Sequence, residues 1–346
     1  MEDKLKQVIR AFFTESSISP NIWKTVLESC EHVPSIYYLY NTVEFYTAYF
    51  SKSNSINLSV ILYDHNNPVG LMPLICHQND QGKWLLSANG IEIIEPIFIK
   101  SLPLKTKKSL ELKLYHLIIS LSNELNIKQC QFVNLEYHHL SSWYMLWVVK
   151  AKEVFSTHHL LVDLSLSIDE IRSKFRRRYK SLVNSGLKIW EVEVHESVSD
   201  ELFDKFRLLH KEVAGRTTRS IKSWAIQKKQ IDLGESFLVS VSDKNEELVG
   251  AGLFSYSDYQ GFYAVGAYKR ELFDKPIGHQ VQMKAIEFLK QKKCLWYEIG
   301  QKHLEVDKLK PTHKELSITF FKEGFSNNAI ARQHLLVEMK RAKDGW

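Results

Sequence analysis

Cysteine is scarce in this chain and occurs in no pattern with a known use. Four stand in 346 residues, at Cys30, Cys76, Cys130 and Cys294, far apart and never at CxxC spacing. That excludes a disulfide framework and a structural zinc site, and no metal site is expected. Each lies beside apolar or strand-like sequence, so all four read as reduced, mostly buried thiols of a cytoplasmic protein. Long hydrophobic runs are also missing: none reaches the ~18–20 residues of a membrane span. The opening stretch MEDKLKQVIRAFF carries charges throughout and has no apolar centre, which argues against a secretory signal. A GxSxG motif is absent too, so no serine nucleophile of that kind is expected.

What is present describes a globular chain. The length leaves room for two domains, each with its own core. Hydrophobic residues make up 44% and charged residues 25%, the balance of a soluble protein. The net charge of +6 is mildly basic and suits an anionic ligand: a phosphorylated cofactor, a lipid-linked sugar or tRNA.

The most ordered stretch is 237–300. Apolar runs at 237–241 and 248–254 flank a polar turn, as in a hairpin, and 261–268 reads as the next strand. Pro276 and Gly278 then open a helix with Val281, Met283, Ile286 and Leu289 at helical spacing. The run 294–299 closes the unit as a strand. An earlier stretch has the same order. Strands at 58–63 and 69–76 flank a turn at 64–68 containing Asn66, Asn67 and Pro68. Strands at 84–88 and 91–99 follow, then a helix over 105–125 and a strand at 129–135. The order recurs at an offset of about 165–180 residues, the mark of an internal duplication. Before it, residues 1–50 read as helical, with a core of tyrosines at 37–49.

Between the two copies lies the basic stretch 167–186. Ser167 and Glu170 form a capping box, Gly186 suits the end of a helix, and the segment reads as one helix. Arg172, Lys174, Arg176, Arg177, Arg178 and Lys180 cover most of its surface, either as a solvated face or as a phosphate site. A second amphipathic helix over 199–213 ends at Gly215. Arg216 and Arg219 follow in a polar loop beside Thr217, Thr218 and Ser220, where they are placed to meet an anion. Near the end, 312–321 fits neither period well, and 334–339 reads as a strand.

Four stretches together resemble the FemAB family of tandem GNAT-like transferases: IRSKFRRRYKSLVNSGLKI, HKEVAGRTTR with SW after it, GHQVQMKAIEFLKQKKCLWYEIG, and KPTHKELSITFFKEGF. The resemblance spans about residues 36–340 and is strongest after residue 167. It implies an α+β (mixed α/β) fold with two GNAT-like domains in tandem, at 1–160 and 161–346. Each would hold a mostly antiparallel central sheet flanked by helices, with the active site in the second. It also implies transfer of an acyl or aminoacyl group to an amine. No heptad segment of the length several cross-bridge enzymes carry occurs here. That favours acyl-CoA as donor over aminoacyl-tRNA, and an amino-sugar or cell-envelope precursor, free or lipid-linked, as acceptor. Contact with tRNA or a membrane surface belongs to the alternative readings, including that of a non-catalytic RNA or phospholipid-precursor binder.

Direct amide formation needs a base and a proton donor for the leaving group. Glu298 and His279 are the candidate bases, and Tyr268 the candidate donor. Arg216, Arg219 and Trp224 are expected to hold the acceptor, with Gln301, His303 and Lys314 lining the same cleft. Lys269, Arg270, Gly278, Arg176 and Arg177 are the candidates for the donor's phosphates, although the turn before the helix carries one glycine where the family pattern has more.

Overall fold

The computed structural model describes residues 1–13, 18–50, 53–135, 139–326 and 328–339. The chain divides into two compact units, Met1–Ser156 with Arg332–Trp346, and Thr157–Ala331. The tail differs from expectation: it belongs with the first unit, where its strand pairs from His334 opposite Val133 to Glu338 opposite Gln129.

In the first unit, α1 (Glu2–Phe12), α2 (Pro20–Glu28) and α3 (Tyr40–Tyr49) precede the strands. Tyr37 and Tyr38 are buried as expected, whereas Tyr49 is exposed. Strands β1 (Ile56–Asn57), β4 (Ile75–Gln78) and β5 (Trp84–Ser87) form one antiparallel sheet; β2 (Val60–Asp64), β3 (Asn67–Met72) and β6 (Ile97–Phe98) form another. The expected strand at 69–76 is therefore two, one in each sheet. Its turn is tighter than expected: Asn67 already pairs with Asp64, His65 takes the left-handed conformation at φ 54°, and Pro68 lies in β3. Between 91 and 99 only β6 is a strand; Ile93 forms a lone parallel bridge to Phe132. Helix α4 (Leu104–Glu124), β7 (Gln129–Val133) and α5 (Ser142–Val148) complete the unit, with Leu114, Leu117, Ile118 and Leu121 fully buried. Sequence reading missed α5.

The second unit is one twisted sheet with helices on both faces. Its strands are β8 (Ala151–Asp163, which enters from the first unit), β9 (Glu191–His195), β10 (Ser236–Ser242), β11 (Leu248–Tyr256), β12 (Gln260–Tyr268) and β13 (Trp296–Lys302). Their spatial order is β8-β13-β12-β11-β10-β9. Alternation along β10 shows how sequence sets the layers. Phe237, Val239 and Val241 point into the core under α7 (Arg177–Gly186) and α10 (Ile277–Gln291), while Leu238 points into the core under α8 (Asp200–Ala214) and α9 (Ile221–Asp232). Strands β8 and β9 and helix α9 were not read from sequence.

The basic stretch is not one helix. The Ser167–Glu170 capping box starts α6 (Ile168–Ser173), which ends before Phe175. Phe175 is buried against Phe325, and the Arg176 N–H bonds the Gly324 carbonyl 2.9 Å away, so this tertiary bond replaces the helical one. Helix α7 then starts at Arg177 and includes Gly186. The ambiguous stretch near 312–321 is α11 (His313–Glu323), begun by a Thr312–Glu315 capping box, and β14 (Asn328–Glu338) ends the fold.

Candidate active site

The sheet of the second unit forks. Strands β12 and β13 run parallel and pair only at Gln260–Trp296, Gly261–Tyr297 and Phe262–Glu298. Two bulges at one level separate them beyond that point. Ala264 is an extra residue in the β11–β12 ladder, and Ile299 is an extra residue in the β13–β8 ladder. A bulge bends its strand and raises its twist, and both bulges fall where the β12–β13 pairing stops. Helix α11 packs against β13, anchored by the bond from the His303 N–H to Thr319 Oγ1 at 3.1 Å and by a Lys302–Glu323 ion pair at 2.6 Å.

Beside the fork is a cavity of about 820 Å³, walled by Tyr263–Gly266 and Tyr268 of β12, by Gly278 and His279 of α10, and by Lys314, Ile318, Phe321 and Lys322 of α11. Arg270 and Lys275 also line it. Its described lining thus holds four Lys and Arg side chains and no carboxylate, which favours a polyanionic ligand.

Lys322 is strongly altered by this setting. Burial pushes its amine down to about 8, against the opposing pull of Glu298. The amine sits 5.6 Å from the centre of the Tyr263 ring and lies close over Gly300. Gly300 has φ +144°, a conformation that favours glycine, and a Cβ there would push the Lys322 amine aside. Lys322 has no hydrogen-bond or ion-pair partner among the described residues, and a perturbed, unpartnered amine in a cleft marks a functional group.

Two tyrosines stand beside it. The hydroxyls of Tyr263 and Tyr268 are 2.9 Å apart. Burial lifts Tyr263 to about 12, and burial together with Tyr263 lifts Tyr268 well above the usual value, so both remain protonated donors. His279 lies among aromatic rings, 4.6 Å from Tyr179 and 5.3 Å from Phe321 between centroids. Burial, then the charge of Arg178, push it down to about 4, so it is a neutral imidazole near pH 7. Neither ring nitrogen has a hydrogen-bond partner among the described residues.

Of the residues singled out from sequence, the fold brings Tyr268, Arg270, Gly278, His279 and Lys314 to this cavity. Glu298 lies just behind it at the last paired level of the fork, 3% exposed. Gln301 and His303 continue β13 and its exit without lining the cavity. Lys269 is tied to Glu247. Arg176 lies 3.8 Å over the Phe320 ring, and Arg177 is exposed. Arg216 is also exposed. Arg219 stacks 5.0 Å from the buried Trp224 ring and donates to Gln227 Oε1 at 3.1 Å. None of these last three lines the cavity.

Sequence reasoning missed Lys322, Tyr263, Gln260 and His159. A signal existed for the first: Lys322 opens the KEGF ending on which the family resemblance partly rests.

No family model and no curated protein matches the sequence. Solved structures do match the fold. FemX aligns with a TM-score of 0.65 at 12% identity, over 91% of this chain and 96% of FemX. L-PGS from Bacillus licheniformis aligns at 0.56 and 12% identity, over 87% and 93%. A C-terminal domain named for lysylphosphatidylglycerol synthetase, from Agrobacterium fabrum, aligns at 0.59 and 8% identity, over 94% of each chain. At such identities the likeness establishes the fold: a mixed α/β chain of the FemX type, as the resemblance to the FemAB family implies.

Proposed function

We propose that the chain is an N-acyltransferase that moves an acyl group from a thioester donor, acyl-CoA, to an amine of an amino-sugar or cell-envelope precursor. The observation that carries this reading is the Lys322 amine, unpartnered and pushed down to about 8, inside a cation-lined cavity where two strands separate. The donor's phosphates meet Arg270 and Lys275, and its acyl carbonyl lies in the fork beside the bulge at Ala264. Neutral Lys322 takes a proton from the acceptor amine, which attacks the carbonyl as the C–N bond forms. The tetrahedral oxyanion collapses, the C–S bond breaks, and the leaving thiolate takes a proton from Tyr268, resupplied through Tyr263. No side-chain nucleophile is required.

An aminoacyl ester on tRNA is the second reading. What favours it is the fold shared with proteins named for lysylphosphatidylglycerol, itself an aminoacyl ester. Both donors present an activated acyl group on a phosphate-bearing carrier, and one experiment separates them. The protein is incubated with acetyl-CoA and a panel of amino sugars while free thiol is measured, and in parallel with charged tRNA while deacylation is measured. Thiol release that depends on an amino sugar supports the proposal. Deacylation of tRNA alone moves the donor to the ester, and neither signal overturns acyl transfer.

A further inference from the structure

We propose that Glu298, held between His159 and Gln260 at the apex of the fork, is a positioning residue that acts through the Lys322 amine. Glu298 is bonded from both neighbouring strands. Its Oε1 lies 2.7 Å from His159 Nδ1 on β8, and its Oε2 accepts from Gln260 Nε2 of β12 at 2.9 Å. His159 is held in turn, with Nε2 3.0 Å from Thr157 Oγ1. Glu298 and Gln260 are 3% and 2% exposed. A carboxylate so deeply buried persists only when its oxygens are satisfied, and a donor from each side fixes where its charge stands. That place is two residues before Gly300, over which Lys322 descends from α11.

The other charges around this amine do not duplicate the effect. On its own helix, Lys314 is cationic and Glu323 is neutralised by Lys302. From the remaining walls come Arg270, Lys275, the neutral His279 and the protonated Tyr263 and Tyr268. Glu298 is the described carboxylate whose charge reaches Lys322, and in a poorly solvated gap a charge acts without contact.

The inference uses the acyl-transfer reading only for what the amine does, so its test needs no substrate. Competitive labelling of lysines with acetic anhydride across a pH series, read by mass spectrometry, follows Lys322 directly. Thermal melts establish that each variant is folded. In Glu298→Gln the labelling midpoint should fall below that of the wild type, and a fall of about one unit makes Lys322 roughly fivefold more reactive at pH 7. His159→Gln keeps a donor and should match the wild type, whereas His159→Leu releases the carboxylate and should shift part of the way. A folded Glu298→Gln protein with an unshifted Lys322 profile overturns the proposal. If that variant fails to fold, identical profiles for His159→Leu and His159→Gln overturn it instead. A shifted profile in a protein without transferase activity would leave this pairing standing and remove the proposed function.

Discussion

The first unit holds a cavity of about 1190 Å³ lined by β5 and β7, and the second holds one of about 820 Å³ beside its fork. Two titratable groups that line the larger cavity have partners. His77 stacks on Phe50 at 4.0 Å with its Nδ1 3.5 Å from Ser87 Oγ, and Glu92 pairs with His334 at 3.2 Å. Burial pushes the Cys130 thiol up to about 12, which keeps it protonated. The smaller cavity contains an amine and an imidazole that no described residue satisfies. Space alone does not identify a reaction site, and neither does a shifted but satisfied group; shifted acid and base groups without a partner mark one. The strand pairing agrees. One parallel bridge, Ile93 to Phe132, marks the first unit, whereas in the second a parallel pair is opened by two bulges.

The strongest way to break this contrast is Lys322→Met. Turnover should fall by about 10²–10⁴-fold, while Lys83→Ala at the first cavity should leave it within about twofold. The same Lys322→Met change should raise stability by roughly 1–2 kcal/mol, because it removes a half-buried, poorly solvated charge, and thermal melts beside kinetics measure both. Gly300→Ala should come next. Its Cβ strikes the Lys322 amine and its backbone conformation disfavours a side chain, so stability should drop by roughly 1–3 kcal/mol, with activity reduced.

A pH series sharpens the comparison further. Transfer should rise about tenfold per unit up to pH 8 and then level off as Lys322 loses its proton. The stability effect has a fixed sign. The folded amine titrates near 8 and the unfolded one near its ordinary 10.5, so the folded state binds fewer protons between these values. The deficit of the wild type against Lys322→Met should be full below pH 8 and shrink as pH rises toward 10.5. Arg216→Ala should have the smallest effect, no more than about twofold on turnover, because that side chain is exposed and outside the cavity.

Much of the fork was legible in the sequence, and the limits were physical. The strand–strand–strand–helix–strand order over 237–300 follows from local periodicity, and it brought Tyr268, Gly278 and His279 to notice. Helix α11 was obscure because it faces a cavity more than a core. Only Thr319 is buried among its residues, so its apolar positions form no clear stripe. Lys322 reads as a solvated lysine until the fold sets it over Gly300. Arg219 looked like a free loop cation, but it is held by Trp224 and Gln227 of α9, a helix that sequence reading had not found. The basic helix was misread because Phe175 packs on Phe325 and the Arg176 N–H bonds Gly324, partners about 150 residues away in sequence.

The most direct measurement is a calorimetric titration of acetyl-CoA, at moderate salt, into the wild type, Ile318→Trp and Lys83→Ala. Ile318 lines the fork cavity and is 42% exposed, so tryptophan there fills the cavity and spares the core. The account predicts saturable micromolar binding to the wild type and to Lys83→Ala, weakened at least about tenfold in Ile318→Trp. Equal affinity in Ile318→Trp, or no saturable binding to the wild type, would contradict the assignment of a thioester donor to the fork.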